Sequence, residues 1–294
     1  MKKKQATSRA SVPAARASVP AARASVPAAR ASLPASGGAE ELARRAQSRV
    51  DAGDVEGACS LYEQALEASP RDLKLLNNLA CLYVRSGRLR EAEAIFRDVT
   101  KAQPENPSPW NNLGFVQMQK GENGKAIRSF RLALRANPRD LEALLNLGMV
   151  QSLARRHTQA LETLLAAKRV SPESAEVANS IGCVYRHLDR LDEAVESFRM
   201  AIARNPLDVE ARNNLACTYR ALDRTDEALA VLEEAEVLDP ANEVVHYNLG
   251  MLYASMRHRR EALKHLSRYL ALNETGPYAD DVRGLVRQLE GATR

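Results

Sequence analysis

Adjacent asparagines recur in this sequence inside segments that have the apolar spacing of a helix. Asn-Asn-Leu occurs three times, beginning at residues 77, 111 and 213. Asparagine is an indifferent former of helix interiors, so its repeated use there calls for a chemical reason. A carboxamide donates and accepts hydrogen bonds at once, and it can therefore pair with both the N–H and the C=O of an extended peptide. The chemistry predicted from these residues is recognition of a peptide backbone.

The sequence lacks the side-chain patterns that support catalysis or metal binding. The five histidines share no common spacing, and the four cysteines form no Cys-x-x-Cys pair. No glycine-rich phosphate loop, nucleophile elbow or His-Glu-x-x-His segment is present. We therefore expect no catalytic residue, no bound metal, no cofactor and no small-molecule substrate.

A repeat of 34 residues organises most of the chain. Prolines separated by that interval stand at residues 70, 104, 138, 172, 206 and 240. When a unit begins three residues after each proline, and one earlier unit begins at Ala39, seven units cover residues 39–276. A fixed period of this length indicates stacked supersecondary units.

Small and large residues alternate at fixed places of the unit. The twentieth place is always alanine, the eighth is alanine or glycine, and the twenty-fourth is a bulky apolar residue. Small residues facing large ones let two helices approach closely. Near the fifteenth place, glycine or aspartate supplies the turn between the helices in five units, whereas Arg155 stands there in the fourth.

These residues resemble the tetratricopeptide repeat, in seven tandem copies. The resemblance implies an all-α fold, a right-handed α/α superhelix in which the first helix of each unit lines a concave groove. It also implies a protein–protein interaction adaptor or scaffold without enzymatic activity. In the last unit Tyr269 replaces a small alanine, which indicates that a further element packs there. Residues 277–294 carry one apolar stripe and are predicted to form a capping helix.

The groove-facing side of the first helices contains three columns of candidate peptide-binding residues. The sixth-place asparagines resemble the asparagine ladder of the tetratricopeptide superhelix in protein O-GlcNAc transferases, and Ser180 interrupts them. In order of fifth, sixth and ninth place, the candidates are Asn77, Asn111, Asn179 and Asn213; Asn78, Asn112, Asn146, Asn214 and Asn248; and Phe115, Met149 and Met251. The expected partner is an unstructured segment of another protein. Two alternatives remain: the asparagines support helix packing or solubility, and a neighbouring repeat covers the ninth-place residues.

The N-terminal 38 residues have a different composition. Residues 9–36 repeat Arg-Ala-Ser-Val-Pro-Ala-Ala with a period of seven, and a proline in each period prevents a continuous helix. The segment carries seven cations and no acid, so subtracting its +7 from the total of +5 leaves −2 for the rest. We expect residues 1–38 to be disordered. Three interpretations of this segment are open. It makes a weak contact with nucleic acid or an anionic membrane, it is an organelle transit peptide, or it is an inert linker.

The tail supports a second functional hypothesis, in which it tethers the protein electrostatically and the repeats act as a spacer. No run of about 18 apolar residues is long enough to cross a bilayer, and no signal peptide follows the initial lysines. Four scattered cysteines suit a reducing compartment. The sequence thus predicts a cytoplasmic protein and leaves its oligomeric state open.

Overall fold

The computed structural model describes residues 37–291, and in that range every regular element is an α-helix. The helices are α1 (Gly37–Asp51), α2 (Val55–Ala68), α3 (Leu73–Arg85), α4 (Leu89–Ala102), α5 (Pro107–Gln119), α6 (Asn123–Ala136), α7 (Leu141–Leu153), α8 (His157–Val170), α9 (Ala175–His187), α10 (Leu191–Arg204), α11 (Val209–Ala221), α12 (Thr225–Leu238), α13 (Glu243–Ser255), α14 (Arg259–Leu272) and α15 (Ala279–Gly291). The predicted all-α fold of seven helix pairs is confirmed.

Helix α1 begins at Gly37, two residues before the first predicted repeat at Ala39. Gly37 and Gly38 form the start of α1, because the first N–H groups of a helix need no partner within it and glycine is tolerated there. The disorder predicted for the rest of the tail lies outside the described residues. Within residues 37–291, no helix combines the length and apolar character needed to cross a membrane.

The first helix of each of repeats 2 to 7 starts at a side-chain cap. The cap residue stands two positions after the repeat proline, and its side chain accepts a hydrogen bond from a backbone N–H of the first turn. The caps are Asp72, Asn106, Asp140, Ser174, Asp208 and Asn242. These residue types favour caps over helix interiors, so they fix where each helix begins.

The turn within each repeat uses one residue in the left-handed region. Gly53, Gly87 and Gly121 adopt φ values of 74° to 79° there. Arg155, Asp189, Asp223 and Arg257 occupy the same place with φ values of 58° to 61°. The turn therefore keeps its shape even at the two arginines, although a side chain strains that conformation.

The predicted contact between small and large places is confirmed. A Cβ atom added to Gly114 would lie 2.8 Å from the Phe130 ring, and one added to Gly182 would lie 2.7 Å from the Phe198 ring. All seven twentieth-place alanines are buried. Each helix pair is thus held by a bulky side chain seated against the backbone of its partner.

Successive first helices contact one another along the stack, from α3 through α5, α7, α9 and α11 to α13. Second helices show no comparable contact with each other within residues 37–291. The first helices therefore lie on the inner side of the curve. At the C-terminal end, α15 packs on α14, where Tyr269 and Val282 are buried in one cluster.

Candidate binding groove

The candidate residues lie on α3, α5, α7, α9, α11 and α13, the helices on the inner side of the curve. Met149 is exposed, with 44% of its surface accessible. Four asparagines are buried, namely Asn111, Asn213, Asn214 and Asn248. The other candidates are half-buried: Asn77, Asn78, Asn112, Asn146, Asn179, Phe115 and Met251. The exposure of the candidate residues thus ranges from buried amides to the exposed thioether of Met149.

The asparagines pair with each other across repeat boundaries. In each pair, Nδ2 of a sixth-place asparagine donates to Oδ1 of the fifth-place asparagine of the preceding repeat. The pairs are Asn112 to Asn77 at 3.2 Å, Asn146 to Asn111 at 3.1 Å, Asn214 to Asn179 at 3.2 Å and Asn248 to Asn213 at 3.1 Å. The amides therefore join neighbouring first helices, as the helix-packing alternative requires.

Glutamates at the second place extend two of these pairs. Nδ2 of Asn111 donates to Oε1 of Glu142 at 2.8 Å, and Nδ2 of Asn179 donates to Oε1 of Glu210 at 3.4 Å. Each of these fifth-place amides thus accepts from one residue of the next repeat and donates to another. A hydrogen bond to a charged group contributes more than a neutral one, which strengthens these two boundaries.

The series of asparagine pairs is interrupted at the boundary between repeats 4 and 5. Leu145 occupies the fifth place of repeat 4, and Ser180 occupies the sixth place of repeat 5. The two substitutions therefore fall on the two sides of one boundary, so that neither leaves an amide without its partner. The two asparagines of each pair are 35 residues apart in the sequence. That spacing is the signal by which the pairing could have been predicted.

Asn78 has a different partner because repeat 1 has Ala43 at its fifth place. Its Nδ2 donates to the hydroxyl of Tyr62 on α2 at 3.3 Å. Tyr62 belongs to the buried core of the first repeat. The Asn78 side chain therefore fastens the second repeat to the first without a fifth-place amide.

The sixth-place amides are only partly satisfied within the chain. Each pair uses one of the two Nδ2 protons of the donor, and within residues 37–291 no side chain or backbone group donates to the Oδ1 of Asn112 or Asn146. An asparagine can make about four hydrogen bonds. Both of these residues are half-buried, so an N–H and a C=O of each remain for water or for a bound chain.

An apolar strip on α7 lies at the boundary where the series of asparagine pairs is interrupted. Leu145, Met149 and Leu153 follow one another at intervals of four residues and therefore share one side of the helix. Leu153 is 59% exposed, more than Met149, and Leu145 is half-buried. This α7 strip offers apolar contact in the middle of the groove.

Burial disfavours deprotonation of two of the three ninth-place thiols, Cys81 and Cys183. Burial raises the pKa of Cys183 to about 11, and burial, with a smaller contribution from Glu142, raises the pKa of Cys81. A thiol must be deprotonated to attack a substrate. The four cysteines are free, and the raised pKa keeps the Cys81 and Cys183 thiols protonated at neutral pH.

Comparisons with known proteins agree with this geometry. Residues 3–244 match the family described as "Cilia and flagella-associated protein 70 C-terminal domain". A search of curated proteins found no significant match. The sequence match therefore covers most of the repeat array, up to the start of α13.

Solved structures resemble the chain at low sequence identity. A tetratricopeptide repeat protein from Parabacteroides merdae has a TM-score of 0.71 at 19% identity, over 86% of this chain and 99% of that chain. The APC/C hetero-tetramer Cut9-Hcn1 gives 0.66 at 19% identity, over 83% of this chain and 48% of that chain. MamA from Desulfovibrio magneticus has a TM-score of 0.54 at 20% identity, over 58% of this chain and 97% of that chain. These likenesses establish the fold.

Proposed function

We propose a binding function for this chain, which belongs to the cilia and flagella-associated protein 70 C-terminal domain family, a family of tetratricopeptide repeats. This fold generally mediates protein–protein interaction and typically acts as a non-enzymatic scaffold. In the proposal the chain is an adaptor or scaffold that holds an extended segment of another protein in its groove. It performs no chemistry on that segment.

The amide groups left open in the groove support this mode of binding. Neighbouring helices stand about 8–10 Å apart, whereas an extended chain advances about 3.3 Å per residue. One sixth-place amide would then meet the bound backbone about once in three residues. The segment would extend along the five sixth-place asparagines over roughly 15 residues, with loose sequence preference, and would bind the half-buried ones, Asn78, Asn112 and Asn146.

The observation that carries the proposal is the exposed α7 strip. Met149 and Leu153 are among the few large apolar side chains exposed within residues 37–291, and they lie on a groove helix. Methionine is a flexible side chain that adapts to varied partners. An apolar residue of the bound segment would pack on this strip while the flanking amides bind its backbone.

Affinity capture with the full chain, followed by quantitative mass spectrometry, tests the proposal. The groove variant is Met149→Ser/Leu153→Ser, and the control variant is Leu207→Ser/Val237→Ser. The control residues are 73% and 80% exposed, and they lie in a loop and on the second helix α12. Both variants remove exposed apolar side chains, so neither is expected to unfold the array.

The expected result is loss of the captured proteins in the groove variant and their retention in the control. A synthetic segment of the captured partner should then bind the parent with higher affinity than it binds the groove variant. Equal capture by the parent and both variants would contradict groove binding. Loss in the control alone would place the interaction on the outer surface.

Removal of residues 1–38 separates the adaptor from the electrostatic tether. A groove adaptor keeps its partner without the tail, whereas a tether loses its nucleic acid or anionic membrane. The exposed Glu142, Glu176 and Glu210 give the tail an acidic surface to fold onto. Exposed ion pairs contribute about 0–1 kcal/mol and are screened beyond about 8 Å at physiological salt. If the tail competes for the groove, its removal tightens partner binding at low salt only.

We also propose that the protein is cytoplasmic, supported by its four free cysteines. Fluorescence imaging and cell fractionation of the full chain test this location. Enrichment in an organelle would instead support a transit function for residues 1–38.

A further inference from the structure

Three side chains with metal-binding atoms meet between the last two repeats, away from the groove residues. They are Glu236 of α12, His246 of α13 and His265 of α14. The two Nδ1 atoms lie 3.1 Å apart, and Glu236 Oε1 lies 3.9 Å from His246 Nδ1 and 3.8 Å from His265 Nδ1. Both histidines are buried, and Glu236 is half-buried. Sequence spacing did not indicate this cluster, because its members come from three helices.

The spacing of these atoms matches the coordination distances of zinc. For a triangle with sides of 3.1, 3.8 and 3.9 Å, one point lies about 2.1 Å from all three corners. Zinc binds histidine nitrogen at about 2.0–2.1 Å and carboxylate oxygen at about 2.0–2.2 Å. Only a small movement of the half-buried carboxylate is needed to raise the ion out of the plane toward tetrahedral geometry.

The hydrogen bond of His246 directs its Nδ1 lone pair into the cluster. His246 Nε2 lies 3.0 Å from the carbonyl oxygen of Pro240, which can only accept, so Nε2 carries the proton. Trp110 holds the same place in repeat 3, and its indole N–H donates to the carbonyl of Pro104 at 2.9 Å. A ligating histidine commonly donates its other N–H to a backbone carbonyl, and this fixes the tautomer and the ring orientation.

His265 completes the pair without a change in total charge. Because His246 Nδ1 has no proton in the neutral ring, the hydrogen in the contact between the two Nδ1 atoms belongs to His265. Binding of a cation moves that proton through solvent to His265 Nε2 and leaves the Nδ1 lone pair for the metal. Two neutral imidazoles and one carboxylate then act as ligands.

The equivalent places at other repeat boundaries hold different residue types. The fourth place, the twenty-third place and the twenty-eighth place of the preceding repeat are Leu76, Ile95 and Leu66 at the first boundary. In the same order, they are His246, His265 and Glu236 at the last boundary only. The fold therefore does not require histidine or glutamate at these places, and three metal-ligand residue types occur together only at the last boundary.

We propose that Glu236, His246 and His265 bind a divalent transition-metal ion of the zinc class. The cluster borders a pocket of about 410 Å³, which Lys264, Ser267 and Arg268 also line. A fourth position is therefore open to water. The ion joins α12 to α13 and α14 and so fastens the terminal repeat to the array.

Calorimetric titration of zinc chloride into the full chain, prepared without a histidine tag, tests this site. The parent is expected to bind one ion per chain and to melt at a higher temperature with zinc, because an ion that binds only the folded state stabilises it. His246→Gln should abolish that binding. Glu236→Gln, which changes only a half-buried carboxylate, should weaken it by at least about tenfold.

The control is His157→Gln/His187→Gln, which removes the other stacked histidine pair, whose ring centroids are 4.9 Å apart. This variant should bind zinc as the parent does. Cobalt(II) adds a second readout, because an ion held in tetrahedral geometry gives intense visible absorption. The absence of one-to-one binding by the parent, or equal binding by the parent and Glu236→Gln, would overturn the proposal.

Discussion

The amide pairs predict an order of stability losses that depends on which oxygen loses its donor. Asn146→Ala removes the donor of Asn111 Oδ1, and Asn111 is only 4% exposed. Asn112→Ala removes the donor of Asn77 Oδ1, which is half-buried and can turn to water. A buried polar atom without a partner costs about 1–3 kcal/mol, whereas one hydrogen bond contributes about 0.5–1.5 kcal/mol. We therefore expect Asn146→Ala to lower the free energy of unfolding more than Asn112→Ala does.

Thermal unfolding followed by circular dichroism measures this difference. For a chain of this size, each kcal/mol lowers Tm by about 2–4 °C. The matched control is Ser180→Ala, which changes a sixth place whose equivalent fifth place in the preceding repeat holds Leu145 instead of an asparagine. It should alter the free energy of unfolding by no more than about 0.5 kcal/mol.

Equal melting temperatures for all three variants and the parent would refute the reasoning, because the pairs would then contribute nothing. A larger loss in Asn112→Ala than in Asn146→Ala would refute the argument from burial.

The same measurements bear on binding experiments. An asparagine variant that loses a partner also loses an inter-repeat hydrogen bond, so its affinity must be compared at temperatures where each variant is fully folded.

Three further outcomes are expected. Ala160→Leu should overpack a helix pair in which Ala160 is fully buried and cost about 1–3 kcal/mol, and an unchanged Tm would contradict the assigned register. Arg155→Gly should raise stability by about 0.5–1 kcal/mol in denaturant titrations, because it relieves the left-handed backbone, whereas Arg131→Gly within α6 should lower it. Burial lowers the pKa of His157. Burial also lowers the pKa of His187, and the neighbouring His157 lowers it further. Their contribution to stability is therefore present above about pH 6.5 and lost as pH falls below it. Tm should decline between pH 7 and pH 5, and less so in His157→Gln/His187→Gln.

The sequence alone was sufficient for the fold because the determinants are local and repeated. The proline interval, the twentieth-place alanine and the caps each act within one repeat or between its two helices. Tyr269 likewise indicated that another element packs after the last repeat, and its burial beside Val282 confirms that prediction. Helical periodicity predicted that the asparagines share the side of the first helix opposite its core positions, and their role in binding stays a prediction.

The tertiary structure decided what the asparagines contact and which distant groups meet. Whether an amide such as Asn146 is open to a ligand or paired with Asn111 depends on the distance between helices of different repeats. That distance is set by the stacking of complete repeats. The grouping of Glu236 with His246 and His265 has the same origin, because helical spacing orders residues along one helix and gives no distance between side chains on three.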